Sequence, residues 1–269
     1  MIVAVLGGGK IGEAVARKIA QSERVSKVIV TKRNTSTLKG LRSPGVEVSS
    51  DNAMAARSAS AILLTVKAGD ARKVLREIRD VTDQKLVISL MAAVSIQRLQ
   101  KELPKSKLVR AMPNIAATIG EAITAYSLGS GLTKEDVERV KLVLGCFGDY
   151  IEVPEHLMNA VTALSGSGPA YIALLIEAMV GAGVKVGIPR DISFKLVTKT
   201  LTGTADLLSQ SNIHPAELRD AVTTPAGTTI AGIYELERGS IRTSMMNAVD
   251  AATQAAERVA KRFDADDTS

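Results

Sequence analysis

A glycine-rich turn near the N-terminus constrains the fold of this chain more than any other stretch. Residues 2–6 form a continuous apolar run, which is typical of a buried parallel strand. Gly7, Gly9 and Gly12 follow in G-x-G-x-x-G spacing, and residues 13–20 then have apolar positions at helical spacing. In a strand–turn–helix unit such glycines allow a tight turn, a close backbone approach to a pyrophosphate, and tight packing of helix on strand. The stretch therefore predicts a dinucleotide-binding unit.

The end of the second predicted strand, residues 27–30, bears on the choice of dinucleotide. About twenty residues after the last glycine of such a turn, an NAD site has an acidic residue for the ribose 2′-hydroxyl. This chain has Lys32 and Arg33 there, after Thr31. A carboxylate would repel a 2′-phosphate, whereas a cation pairs with it. The pattern favours NADPH and leaves acceptance of NADH open; two solvated surface cations are the alternative interpretation.

Strand and helix patterns alternate as far as residue 153 and then give way to helical patterns alone. The alternation predicts a mostly parallel sheet of the doubly wound type, with ligands at the carboxyl ends of its strands. Pro154 marks the change. The predicted fold is α/β, with a Rossmann-type dinucleotide-binding domain over residues 1–153 and an all-helical domain over residues 154–269.

Composition narrows the classes of partner. The 269 residues include only 3% aromatics and no Trp, so the helices must pack through small apolar side chains, between subunits as well as within one. The net charge is +6, but the cations are scattered and no basic block is interleaved with aromatics. Acidic small molecules therefore explain the charge better than nucleic acid does, and a surface that is merely basic is the alternative interpretation.

The chain also offers arguments about compartment, membrane and metal. The apolar run 169–188 carries Glu177 and Lys185, which favours a buried or subunit-facing helix over a membrane span. Cys146 is the single cysteine, which excludes an intrachain disulfide and fits a reducing, cytoplasmic compartment. His156 and His214 have no metal-ligand spacing to other residues, so no metal site is predicted.

A small-residue turn in the second half precedes a helical pattern over residues 230–238. Pro225 fixes φ, Gly227 permits an open backbone, and Thr228 and Thr229 follow. The unpaired N–H groups of a helix start suit an anion such as a carboxylate. In the alternative interpretation, one threonine hydroxyl caps the helix and no ligand is needed.

Several stretches together resemble the pyrroline-5-carboxylate reductase family, nearly from end to end. They are the glycine turn and the segments 109–114, 156–171 and 214–232. The resemblance implies a Rossmann domain followed by a helical domain that dimerises through interleaved helices, in some cases within a larger ring. It also implies an active site shared between the nucleotide domain of one subunit and the helices of its partner. The implied reaction of proline biosynthesis is hydride transfer from NAD(P)H to the C=N carbon of 1-pyrroline-5-carboxylate, which gives L-proline.

The resemblance also implies roles for individual residues. Thr229 is the expected catalytic residue, through a hydrogen bond to the ring nitrogen of the imino acid. The backbone of the preceding turn, Thr224, Pro225, Ala226, Gly227 and Thr228, is expected to hold the substrate carboxylate. The expected cofactor residues are Gly7, Gly9, Lys10, Ile11, Gly12, Thr31, Lys32, Arg33, Asn52, Val66, Lys67, Ala92, Ala93, Met112, Pro113 and Asn114. For Asn114, an Asx turn is an equally good interpretation.

The chain departs from the usual family pattern at four places, and two of them, Ala93 and Ala226, keep other functions open. Ala68 replaces Pro, Met91-Ala92-Ala93 replaces Ala-Ala-Gly, Ile115-Ala116 replaces Thr-Pro, and Ala226 replaces Gly. If φ is positive at position 93 or 226, alanine costs on the order of 1 kcal/mol there. The alternatives are a reductase of a different cyclic imino acid and a catalytically silent NADP-binding oligomer.

Overall fold

The computed structural model describes residues 1–41 and 44–265. Contacts within the chain divide it into two compact units, one formed by Met1–Ser167 with the described part of Ala251–Ser269 and the other by Gly168–Asp250. This division is made within a single chain, and the domain boundary at residue 153 stays a prediction.

The first unit is built on a sheet in which the described residues form eight strands. The strands are β1 (Ile2–Leu6), β2 (Lys27–Thr31), β3 (Val46–Ser49), β4 (Ala61–Leu64), β5 (Leu86–Ser89), β6 (Lys107–Met112), β7 (Ala122–Leu128) and β8 (Gly148–Glu152). Their order is β3-β2-β1-β4-β5-β6-β7-β8. This is the doubly wound order, and it reverses between β1 and β4, where such sheets bind ligands beyond their carboxyl ends. The predicted fold class is confirmed.

Helices cover both faces of this sheet because both faces are apolar. They are α1 (Lys10–Ile19), α2 (Asn52–Ser58), α3 (Ala68–Ile78), α4 (Ile96–Glu102) and α5 (Lys134–Gly145). Alternate residues of a strand point to opposite faces, so Val3 and Val5 of β1 join one buried cluster and Ala4 and Leu6 the other. A strand that is buried on both sides explains why residues 2–6 read as one continuous apolar run.

One pairing differs from the rest of the sheet. The strand β7 runs antiparallel to β6, with Arg110 opposite Ser127, and β8 then pairs with β7 in parallel. The short connection through a 3-10 turn at Ile115–Thr118 leaves no room for the crossover helix that a parallel pair needs. The sheet is thus mostly parallel, as predicted.

The rest of the chain is helical. After a 3-10 turn at Glu155–Leu157, the helices are α6 (Met158–Val161), α7 (Gly168–Lys185), α8 (Arg190–Ser211), α9 (Pro215–Ala221), α10 (Thr228–Arg238) and α11 (Ile241–Ala265). Between α6 and α7 lies a π-helix, Thr162–Gly166, after which the Ser167 N–H donates to the Thr162 carbonyl oxygen at 2.9 Å.

Only a small part of the long apolar segment Glu155–Lys185 is buried in the single chain. By length and composition alone this segment could cross a membrane, a criterion that a core helix of a soluble protein also meets. Of α7, Val180 is the one residue buried within the described chain. The segment is therefore not buried inside its own subunit. Of the two predicted arrangements, a helix that faces another subunit remains.

We predict that stability below pH 5 depends on Asp136 in the first turn of α5. Burial would raise the pKa of this carboxyl group, but hydrogen bonds from Lys107 and Thr133 outweigh that effect and bring the pKa to about 2. A carboxyl group whose pKa is lower in the folded than in the unfolded state stabilises the folded protein at pH values above the unfolded-state pKa. This stabilisation, about 2 kcal/mol, is lost as the pH falls towards 2. The free energy of unfolding, measured with urea, should differ less between wild type and Asp136→Asn at pH 2 than at pH 6. A difference that stays constant with pH would contradict the prediction.

Candidate nucleotide and substrate sites

The glycine turn has the geometry that a pyrophosphate site requires. Gly7 has φ +115°, and a Cβ at this position would lie 2.8 Å from the backbone nitrogen of Val66. A Cβ on Gly12 would lie 2.0 Å from the carbonyl oxygen of Gly7, so the helix packs directly on the turn. At Gly9 a Cβ would have no atom within 4 Å, and no side chain caps α1 there. The open side of the turn thus faces a helix start whose N–H groups suit an anion.

A cavity of about 400 Å³ adjoins this turn at the carboxyl ends of β1, β2 and β4. Eight of the predicted cofactor residues line it: Gly7, Gly9, Thr31, Lys32, Arg33, Asn52, Val66 and Lys67. Its volume is in the range of ligand pockets. The cavity lies where the strand order reverses, which is where this fold type places its ligand.

The other predicted cofactor residues lie outside this cavity. They are Lys10, Ile11, Gly12, Ala92, Ala93, Met112, Pro113 and Asn114. Lys10, Ile11 and Gly12 occupy the first turn of α1, whose described start at Lys10 is three residues earlier than predicted. Asn114 makes the Asx turn that the sequence left as an alternative, since its Oδ1 accepts from the Ala116 N–H at 3.1 Å. A cofactor role for these eight residues stays a prediction.

The structure adds cavity residues that the sequence analysis missed. They are Gly8, Ser50, Thr65, Asp70, Lys73, Val74 and Glu77. Four of them come from α3, and their spacing of three to four residues places them on one helix face. That spacing was visible in the sequence; what the sequence did not reveal was that this face borders the cavity.

The two predicted 2′-phosphate cations have carboxylate neighbours. Lys32 Nζ lies 3.4 Å from Glu13 Oε1, and an Arg33 guanidinium nitrogen lies 3.3 Å from Asp70 Oδ2. The Arg33 side chain is 83% exposed. Exposed ion pairs contribute at most about 1 kcal/mol. A phosphate group with two negative charges can therefore compete with Asp70 for Arg33.

The turn before α10 is closed by a hydrogen bond from the Gly227 N–H to the Thr224 carbonyl oxygen at 3.0 Å. Its third residue, Ala226, has φ +55°. A Cβ on Gly227 would lie 2.3 Å from Thr224 Oγ1 and 3.1 Å from the Thr224 carbonyl oxygen, so a side chain at this position would displace the Thr224 hydroxyl. Gly227 is the N-cap of α10, and no side chain caps the helix there. The interpretation in which a hydroxyl of Thr228 or Thr229 is the cap is therefore wrong, because both residues already lie inside the helix.

Both alanines that replace a family glycine have positive φ. Ala93, which is buried, has φ +66° and Ala226 has φ +55°. The left-handed region costs a residue with a Cβ about 1–2 kcal/mol. Both alanines thus have the positive φ at which backbone strain was expected.

We predict that Ala226→Gly stabilises the protein by about 1 kcal/mol or less, because relief of strain exceeds the extra entropy of an unfolded glycine chain. Ala205→Gly, inside α8, is the matched control and should destabilise by about 0.5–1 kcal/mol. Thermal unfolding of both variants measures this difference. Equal destabilisation by the two changes would mean that φ at 226 carries no strain.

Comparison with known proteins decides the family. The family model for pyrroline-5-carboxylate reductase dimerisation matches residues 155–259, and the model described as NADP oxidoreductase, coenzyme F420-dependent, matches residues 2–93. A pyrroline-5-carboxylate reductase of Synechocystis sp. is 39% identical over 96% of this chain and 98% of its own length. The chain belongs to the pyrroline-5-carboxylate reductase family. It is thus an oxidoreductase, and the resemblance inferred from its motifs is confirmed.

Two further relatives agree with this placement. A pyrroline-5-carboxylate reductase of Methanosarcina acetivorans is 37% identical over 97% of this chain and 98% of its own length. The crystal structure of Plasmodium falciparum pyrroline carboxylate reductase with NADP bound has a TM-score of 0.88 at 30% identity. It covers 97% of this chain and 98% of that one. A family dimerisation region that spans residues 155–259 indicates self-association through the helical part of the chain.

The described residues contain no group of three or more His, Cys, Asp or Glu side chains placed to hold a metal ion. His214 instead begins α9, where its Nδ1 accepts a hydrogen bond from the Ala216 N–H at 3.2 Å.

Proposed function

We propose that this chain catalyses the NADPH-dependent reduction of 1-pyrroline-5-carboxylate to L-proline. The observation that carries the proposal is the 39% identity to a pyrroline-5-carboxylate reductase over 96% of the chain. The reductases it resembles match the nucleotide unit and the helical part alike. A reaction of this family needs both parts, since one binds the dinucleotide and the other supplies the substrate turn.

The substrate turn suits the carboxylate of the imino acid. Its backbone N–H groups lie at the start of α10, where no side chain caps them. The partial positive charge of a helix N-terminus stabilises an anion there. Thr229, in the first turn of α10 and half-buried, then supplies a hydroxyl close to the held carboxylate.

The reaction needs little chemistry from the protein itself. Bound NADPH would supply the hydride for the C=N carbon. With the ring nitrogen already protonated, the π-electron pair that moves onto this nitrogen neutralises it and leaves the secondary amine of proline. The Thr229 hydroxyl hydrogen-bonds the ring nitrogen and holds the imine in position as its charge falls. Orientation of the two reactants accounts for most of the rate acceleration in such a site.

The nucleotide cavity fits the proposed cofactor. Its glycine turn is open at Gly9, where a pyrophosphate can approach the backbone closely. Lys32, Arg33, Lys67 and Lys73 give the cavity four cations against the carboxylates of Asp70 and Glu77. This positive balance favours a dinucleotide that carries a 2′-phosphate, and NADH is the weaker cofactor.

Further parts of the proposal concern assembly and compartment. The exposed apolar side chains of α7 and α8 support a homodimer through the helical region, which can be part of a larger ring. We also place the boundary between the nucleotide and helical domains after residue 153. The single cysteine supports a cytoplasmic location, and neither nucleic acid nor membrane is part of the proposed function.

A direct assay tests the proposal. Purified protein, NADPH and the cyclic imine should yield L-proline with loss of the absorbance of reduced nicotinamide. Omission of the imine is the control. A panel of cyclic imino acids, ranked by kcat/KM, separates this function from the reductase of another ring that Ala93 and Ala226 leave open. Tight NADPH binding without turnover of any imine would favour a silent NADP-binding oligomer.

We predict that replacement of Lys32 and Arg33 together by serine reduces the preference for NADPH over NADH by about 10-fold or more, because charge-assisted hydrogen bonds to phosphate contribute about 1.5–3 kcal/mol. The ratio of kcat/KM values for the two cofactors measures the effect. Lys105→Ser is the charge control, since Lys105 pairs with Asp83 outside the cavity. An unchanged ratio would mean that the 2′-phosphate binds elsewhere.

A further inference from the structure

Three side chains on the wall of the nucleotide cavity form a hydrogen-bonded chain. Thr31 Oγ1 donates to Asn52 Oδ1 at 2.5 Å, and Asn52 Nδ2 donates to Glu77 Oε2 at 2.6 Å. All three residues line the cavity. They come from three different elements, namely the end of β2, the start of α2 and the last turn of α3. The chain of hydrogen bonds therefore spans the cavity wall.

The carboxylate at one end sets the direction of every bond in this chain. An ionised carboxylate only accepts hydrogen bonds, so the amide of Asn52 must turn its NH₂ group towards Glu77. The amide oxygen then faces Thr31, and the Thr31 hydroxyl must donate its proton to it. Asn52 keeps one further N–H that is not used by Glu77.

We propose that Glu77 is a positioning residue for cofactor selection, which orients Asn52 so that the cavity offers an N–H donor to the 2′-phosphate of NADPH. This inference rests on the function proposed above. A phosphate group has acceptor oxygens only, whereas a ribose 2′-hydroxyl can both donate and accept. A wall that presents a fixed donor discriminates in favour of the phosphate.

The usual role of a carboxylate in such a cavity has the opposite consequence. An acidic residue that accepts the ribose 2′-hydroxyl directly favours NADH and repels a 2′-phosphate. In this structure, the hydrogen bond of 2.6 Å from Asn52 engages the Glu77 carboxylate within the protein. The two roles predict changes of opposite sign in NADPH affinity, so substitution at position 77 distinguishes them.

The test compares Glu77→Gln and Glu77→Leu in the full-length protein, by fluorescence titration with NADPH and with NADH. Gln keeps an acceptor oxygen for Asn52, whereas Leu keeps only the bulk of the side chain. We expect NADPH to bind about 3- to 10-fold more weakly to the Leu variant than to wild type, which is the effect of losing one hydrogen bond. The Gln variant should lie between the two. The affinity of both variants for NADH should stay within about 2-fold of wild type. NADPH affinity that is unchanged or higher in the Leu variant would overturn the proposal.

Two further variants separate positioning from a general effect of charge. Asp83→Asn removes a carboxylate outside the cavity, whose partner is Lys105, and should leave NADPH affinity within about 2-fold of wild type. In an Asn52→Ala background, Glu77→Leu should have no further effect on NADPH binding, because the residue that Glu77 orients is gone. Weaker NADPH binding in Asp83→Asn, comparable to that in Glu77→Leu, or an undiminished effect in the Asn52→Ala background, would overturn the positioning role.

The outcome for Glu77 can be told apart from the outcome for the proposed function. If wild type binds NADPH and reduces the imine but the position-77 variants bind NADPH as wild type does, only the role of Glu77 is refuted. If wild type binds neither dinucleotide, the proposed function is refuted and the role of Glu77 with it.

Discussion

Gly12→Ala should lower the free energy of unfolding by about 3 kcal/mol or more and reduce the yield of folded protein, because overpacking against backbone reaches the upper end of such costs. The added methyl group would lie 2.0 Å from the Gly7 carbonyl oxygen and 2.7 Å from Thr65 Oγ1. The Thr65 hydroxyl already donates to that same carbonyl oxygen at 2.6 Å. No side-chain rotation relieves a contact with backbone, so α1 would have to move off the sheet. Chemical denaturation measures the effect.

Gly9→Ala is the matched control within the same turn. A methyl group there would meet no atom within 4 Å, and the φ of Gly9 is −84°, which alanine adopts readily. The stability of the free protein should therefore remain within about 0.5 kcal/mol of wild type. NADPH should bind about 10-fold more weakly or worse, because the methyl occupies the path by which a pyrophosphate reaches the backbone. A loss of stability in Gly9→Ala equal to that in Gly12→Ala would refute the packing argument, and unchanged NADPH affinity would refute the proposed site.

The sequence predicts the lining of the candidate cavity best where local geometry alone constrains a residue. Gly7 and Gly12 are required by the close packing of the turn whatever the rest of the chain does, and Lys67 follows a strand whose carboxyl end is recognisable from its apolar run. The cavity residues of α3 were missed for a different reason. The spacing of Asp70, Lys73 and Glu77 shows that they share a helix face, but the orientation of that face is fixed only when Leu75 and Ile78 pack on the sheet.

The substrate turn shows the same limit at its smallest scale. From sequence, Thr228 and Thr229 are the candidates for the cap of a helix over residues 230–238. The structure places the N-cap at Gly227, with φ −79° and ψ 173°, so both hydroxyls lie one and two residues inside α10. A shift of one residue changes a hydroxyl from a cap that needs no ligand into a group that is free to bind one. The dihedral angles of a single residue decide this, and residue types alone do not fix helix ends so closely.

Thr229→Ala should lower kcat by about 10- to 100-fold while leaving NADPH affinity within about 2-fold of wild type, since it removes one hydrogen bond to the reacting nitrogen. The variant should fold normally, because alanine is the better helix former inside α10. Steady-state kinetics with the cyclic imine, together with NADPH titration, separate the chemical step from cofactor binding.

Two neighbouring variants make the assignment of Thr229 specific. Thr229→Ser keeps the hydroxyl and should recover most of kcat. Thr228→Ala removes the adjacent, exposed hydroxyl from the same helix turn, and its effect on kcat should be about 3-fold or less, the size of an exposed hydrogen bond. If Thr228→Ala and Thr229→Ala lowered kcat equally, the loss would reflect a disturbed helix start and not a bond to the imine nitrogen. If Thr229→Ala instead weakened NADPH binding by 10-fold or more, the Thr229 hydroxyl would belong to the cofactor site. The proposal that the turn holds the substrate carboxylate with the C=N bond beside this hydroxyl would then be refuted.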